Sequence, residues 1–155
     1  MLEFFKSLFA AKPPVTLLDP RLGLLTCERG SEIWSGEARS AGRLIRFFVA
    51  GDDSGPDARL LGSLNDTLGR FVDVERDALD FLVASADASE QASSRLFGDE
   101  RPSIGRHEFA FYAVDFLWEH KPLDFVMEFT LEGDVDGIWR VEFENGSPKS
   151  LGRDD

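Results

Sequence analysis

A chain of 155 residues with fourteen Phe, three Trp and one Cys is long enough to bury one hydrophobic core without disulfides or structural metal, and too aromatic to stay disordered. Its formal charge of −12 is uneven, because residues 1–50 carry seven Lys and Arg against five Asp and Glu, +2, leaving −14 for residues 51–155. A surface of that sign repels phosphate backbones, which speaks against nucleic acid and for a basic partner protein, and the single Cys27 rules out an intrachain disulfide and suits a reducing, cytoplasmic setting.

Taken in chain order, Met1–Lys12 predicts a short amphipathic helix. At 100° per residue Leu2, Phe4, Phe5, Leu8 and Phe9 share one side, with Glu3, Lys6 and Ser7 on the other. Glu3 and Lys6 interrupt the apolar run, which argues against a signal peptide. Pro13-Pro14 ends the helix and opens an extended connector. Residues 1–14 are thus set apart as an amphipathic segment, and 15–155 as one α+β domain. No apolar run approaches the roughly 20 residues a membrane-spanning helix needs.

Leu22–Glu28, Glu32–Glu37 and Arg43–Ala50 alternate as strands, separated by Arg29-Gly30-Ser31 and Arg39-Ser40-Ala41-Gly42, and predict a three-stranded meander. Ile45, Phe47 and Val49 share one face of the third strand, while Arg46 divides Leu44 from Phe48 on the other, as expected if only one face is fully buried.

Ser54-Gly55-Pro56-Asp57 reads as the start of a helix, with Ser54 as the cap and Pro in the first turn. Leu60, Leu61, Leu64, Leu68, Phe71, Val72, Ala78, Leu79 and Leu82 then fall in one arc, with Asp66, Asp73, Asp77 and Asp80 opposite. Glu75 alone interrupts the apolar arc. A break near Val72–Asp73 would place it in the first turn of a second helix, where the macrodipole favours a carboxylate. Ala84–Pro102 reads as a fraying helix end and a connection.

Period two returns in His107–Glu119, with Ala110, Tyr112, Val114, Phe116 and Trp118 on one face. Leu123–Leu131 sets Leu123, Phe125, Met127, Phe129 and Leu131 against a polar side holding Asp124, Glu128 and Glu132. Ile138–Glu144 repeats the pattern, Asn145-Gly146 is a strong hairpin signal, and a last short strand follows. The sum is an α+β fold: a mostly antiparallel sheet of about six strands, packed against one or two central helices.

Few residues suggest chemistry. Glu132-Gly133-Asp134-Val135-Asp136-Gly137 alternates carboxylates like the start of a calcium loop, but position twelve falls on Phe143 and a strand follows, so a hairpin loop is expected. Gly51-Asp52-Asp53-Ser54-Gly55-Pro56 shares only Asp-Ser-Gly with the nucleophile segment of trypsin-like proteases, and neither His107 nor His120 precedes the serine. Cys27, His107 and His120 lack zinc-ligand spacing. No Gly-rich phosphate cradle is present, so no cofactor is expected. Glu108 and Asp115 form no recognisable acid pair. Glu75 is the carboxylate to watch, since burial in the apolar arc would raise its pKa.

Gly23-Leu24-Leu25, followed by Glu32-Ile33-Trp34-Ser35-Gly36 and a strand, resembles the opening of several bacterial domain families of unknown function, some of them immunity proteins of polymorphic toxin systems. The resemblance covers at most the first third of the chain and implies a small acidic α+β protein without a catalytic site. It carries no functional residue with it.

The expectation is therefore a non-enzymatic, acidic protein-binding module, immunity- or inhibitor-like, meeting a basic partner through the helix face of Asp66, Asp73, Asp77 and Asp80 or through its C-terminal hairpins. Two alternatives compete with it. One is a small carboxylate-based or metal-assisted hydrolase using Asp134, Asp136 or Glu75, with no metal ligand set assigned. The N-terminal helix is expected to dock on its own domain, and the other alternative is peripheral membrane contact, or a partner groove, through Phe4, Phe5, Leu8 and Phe9.

Overall fold

Alternating apolar and polar residues produce strands with one buried side, and that side needs a cover. The computed structural model describes residues 13–97, 104–134 and 136–154, with backbone alone over 87–97. In chain order it holds β1 (Val15–Asp19), β2 (Gly23–Cys27), β3 (Ile33–Ser40), β4 (Arg43–Asp52), a two-residue β5 (Gly55–Pro56), α1 (Ala58–Gly69), α2 (Phe71–Phe97), a 3-10 turn (Arg106–Glu108), β6 (Phe109–Phe116), β7 (Phe125–Leu131), β8 (Ile138–Glu144) and β9 (Ser147–Asp154). All strands join one sheet in the order β1-β2-β3-β4-β6-β7-β8-β9, with β5 clipped to β4.

The α+β class and the mostly antiparallel sheet expected from sequence are observed, but the strand count rises from about six to nine. Val15–Asp19 is a strand rather than a connector. Asp19 closes its turn, accepting from the amides of Arg21 and Leu22 at 2.8 and 2.9 Å, so β1 can fold back on β2. The final strand, β9, is eight residues long, paired to β8 through a turn in which Asn145 and Gly146 both take positive φ, 52° and 77°. Phe4, Phe5, Leu8 and Phe9, with the helix expected for Met1–Lys12, lie outside the described residues.

Two antiparallel meanders, β1–β4 and β6–β9, meet along a single parallel pairing of Phe47–Val49 with Val114–Phe116. Parallel neighbours need a long crossover, and α1 and α2 provide it. Their apolar side chains, among them Leu60, Leu64, Phe71, Val74, Ala78 and Leu82, share one core with Leu25, Trp34, Phe47, Phe116, Phe125, Phe129 and Phe143. Phe71 meets Phe111 edge to face at 5.1 Å, and Phe125 stacks on Phe143 at 4.4 Å.

Local departures from the sequence reading have local causes. The cap of α1 is Asp57, not Ser54, because the Asp57 carboxylate accepts from the amides of Arg59 and Leu60 at 2.9 and 3.0 Å, while Gly55–Pro56 is drawn onto β4. The helices divide at Arg70, where its amide bonds back to Thr67, rather than at Val72–Asp73; Val72 turns outward and is 59% exposed. A bulge between Phe111 and Ala113 shifts the alternation of β6, so Phe111 faces the helices and Tyr112 is exposed. Trp118 and Leu123 lie outside the strands and are exposed, and Leu123 takes a φ of 73°.

Candidate functional site on the open face

With both helices on one side, the other side of the sheet carries the alternate residues of every strand. One row crosses every strand but β5 in register, Thr16, Thr26, Ser35, Phe48, Asp115, Val126, Glu142 and Ser150. A neighbouring row carries Ala113, Glu128 and Arg140. Asp115 sits in the middle of the sheet because it alternates with Val114 and Phe116, both of which enter the core.

Glu128 was expected on the solvated side of its strand, yet only 5% of it is exposed. On this central strand both faces are closed, one by the helices and one by neighbouring side chains. Its charge is met by Arg140, whose Nε donates to Glu128 Oε1 at 2.7 Å and whose guanidinium also pairs with Asp154. Among the described residues no cation forms an ion pair with Asp115. Its Oδ1 is buried and meets no hydrogen-bond donor among the described residues. Burial first, then the charge of Glu128, pushes its carboxyl up to about 7, against a smaller pull downward from Arg140. Near neutral pH this group is therefore poised between donor and acceptor, and its acidic neighbour is Glu128 rather than Glu108, whose carboxylate accepts from the Gly105 amide at 2.7 Å.

Beside Asp115 and Glu128 opens a cleft of about 530 Å³, bounded by the β6–β7 loop and the outer surface of β8. Asp115, Glu119, Asp124, Glu142 and Glu144 line it against only Arg140 and Lys149, so its field favours cations. Asp124 ties the rim together, its side chain accepting from the amides of Asn145 at 2.8 Å and Lys121 at 3.3 Å. His120 is anchored there as well: its Nδ1 accepts from the Leu117 amide at 2.9 Å, which places the proton of the neutral ring on Nε2. Burial holds its pKa below the ordinary value despite the nearby acids Glu119, Asp124 and Glu142.

The carboxylates singled out from the sequence lie elsewhere and apart from one another. Glu75 is gripped by Arg43, with Nη1 at 2.9 and 2.7 Å from its two oxygens. Asp134 receives Trp139 Nε1 at 2.9 Å and Arg153 at 2.9 and 2.8 Å, and hydrogen bonding to Arg153 and Trp139 holds its carboxyl down to about 2. Asp136 is exposed on the same loop. On the helices, Asp66 is exposed, Asp73 and Asp77 bracket Arg76, and Asp80 pairs with Arg106. Much of that acidic stripe is thus locally compensated. Cys27 is buried, its thiol donating to the carbonyls of Glu28 and Ser31 at 3.4 Å, and burial raises its pKa, the opposite of what a nucleophile requires. Among the described residues no three His, Cys, Asp or Glu side chains gather as metal ligands, and no helix is long and apolar enough to cross a membrane.

Comparison with known proteins adds no relative: the chain matches no protein-family model, no curated protein and no solved structure.

Proposed function

We propose that this protein is a non-enzymatic binding module of the immunity or inhibitor kind, which receives a basic side chain of a partner protein in the acidic cleft over β6–β8. The observation that carries this reading is the cleft itself, where five carboxylates outnumber two cations on an open sheet face. The chain's charge of −12 supplies the longer-range attraction, which speeds encounter and selects partners. Lys or Arg entering the cleft would meet Glu119 and Glu142 at its rim and Asp115 in its floor, and a cation beside Asp115 favours its ionised form.

An array of basic, neutral and acidic peptides, probed with the full chain at low salt, tests this. Basic peptides should be retained, and the double substitution Glu119→Gln with Glu142→Gln should weaken retention about tenfold, with high salt doing the same. Equal retention of acidic peptides, or retention indifferent to salt, would reject the proposal. Cleavage of the peptides would replace it with carboxylate-based hydrolysis centred on Asp115.

A further inference from the structure

Both cations of the acidic cleft are already engaged by other carboxylates. Arg140 on β8 meets Glu128 at 2.7 Å and also pairs with Asp154, and Lys149 on β9 lies 3.8 Å from Glu144. Across β7, Asp115 faces Val126, with Glu128 two residues further along the same side of the strand. Across β4 it faces Phe48, and the nearest charge on that strand, Arg46, pairs with Glu37 and stands over the Tyr112 ring at 5.3 Å. Glu119, His120 and Asp124 from the β6–β7 loop and Glu142 from β8 complete the surroundings, and they bring no further Lys or Arg. An enclosed carboxyl oxygen that meets no donor, set beside a second carboxylate whose cation is already shared, retains its proton more readily than one in water.

Building on the reading of the cleft as the seat of a basic side chain, we propose that Asp115 exchanges its proton for the partner's cation, so that the cleft holds the partner tightly only when Asp115 is ionised. The incoming guanidinium or ammonium group supplies the countercharge that the fold withholds from Asp115, and the displaced proton passes to solvent. Because the carboxyl titrates at about 7, the exchange falls in the neutral range. Glu119 and Glu142 add an attraction that does not depend on this proton. His120 does not supply the effect, since burial holds its pKa below the ordinary value and its ring has discharged before Asp115 ionises.

A decapeptide of Arg and Gly with blocked termini holds no group that titrates near neutrality, so calorimetric titration of the full chain with it reads the protein's own proton. Affinity should rise about tenfold from pH 6 to pH 8 at constant ionic strength, and about half a proton should be released per peptide at pH 7, read from the heats in two buffers of different ionisation enthalpy. Asp115→Asn keeps the shape of the protonated group, and should bind at both pH values with close to the parent's pH 6 affinity and release no proton. The 13C shift of the Asp115 carboxyl in the parent follows the same proton without a substitution, and its midpoint should fall from about 7 to about 5 when peptide saturates the cleft. A pH dependence that survives Asp115→Asn, or a midpoint that peptide leaves in place, would overturn the proposal. Equal affinity at pH 6 and pH 8 would overturn it while leaving the basic-partner reading intact, and no binding at either pH would overturn both.

Discussion

Replacing Arg140 with Met is expected to cost about 3 kcal/mol of stability at neutral pH, seen as a fall in the urea midpoint with an unchanged slope. The reason lies in what is left behind rather than in the ion pair lost. Glu128 is almost fully enclosed, and Arg140 Nε at 2.7 Å is its ion-pair partner. Removing only the cation strands a carboxylate beside Asp115, whereas removing both charges does not. Glu128→Gln combined with Arg140→Met should therefore recover most of the loss, and the double-mutant cycle would return a coupling of more than 1 kcal/mol. Additive single-site losses would show that Glu128 is satisfied by something other than Arg140.

The second large effect is a dependence on pH. The Asp115 carboxyl titrates at about 7 in the folded protein against an ordinary value of 3.8. The folded chain thus holds this proton more tightly than the unfolded chain does. Its contribution to stability is complete below pH 4, declines as pH rises, and is gone once pH passes 7. The full span amounts to about 4 kcal/mol. Asp134 acts in the opposite sense at lower pH, because its folded value near 2 lies below the ordinary one, so its contribution is present above pH 4 and lost as pH falls through 2. Unfolding of the parent and of Asp115→Asn, compared from pH 5 to pH 8, isolates the first term. The variant should gain on the parent as pH rises; parallel profiles would remove Asp115 from the account.

Sequence periodicity served well where one side of an element is apolar and the other is wet. Phe125, Met127 and Phe129 alternate without interruption, and Asn145-Gly146 carries its own turn chemistry, so β7, β8 and their companions were legible. The helical arc of Leu60, Leu64, Phe71, Ala78 and Leu82 announced the cover for the sheet. What was not legible depends on register and on neighbours. Nothing local to Glu128 reveals that Arg140 will lie directly across from it, or that Asp115 will lie one strand away with Phe48 on its other side. A strand polar on one face reads as half-solvated whether or not other strands close in around it. Ser54 and Asp57 both suit a helix start, and only the pairing of Gly55–Pro56 with β4 decides between them.

The joint between the meanders bears on how the molecule assembles. Hairpins within each half connect residues close along the chain, whereas Phe47 and Val114 must find one another across more than sixty intervening residues. The entropy of closing so long a loop has to be met before any contact at the joint rewards it. The two halves should accordingly gain order early and be sutured late, with Val114→Ala accelerating unfolding while leaving the refolding rate nearly untouched. A strong slowing of refolding by that change would place the suture at the beginning instead.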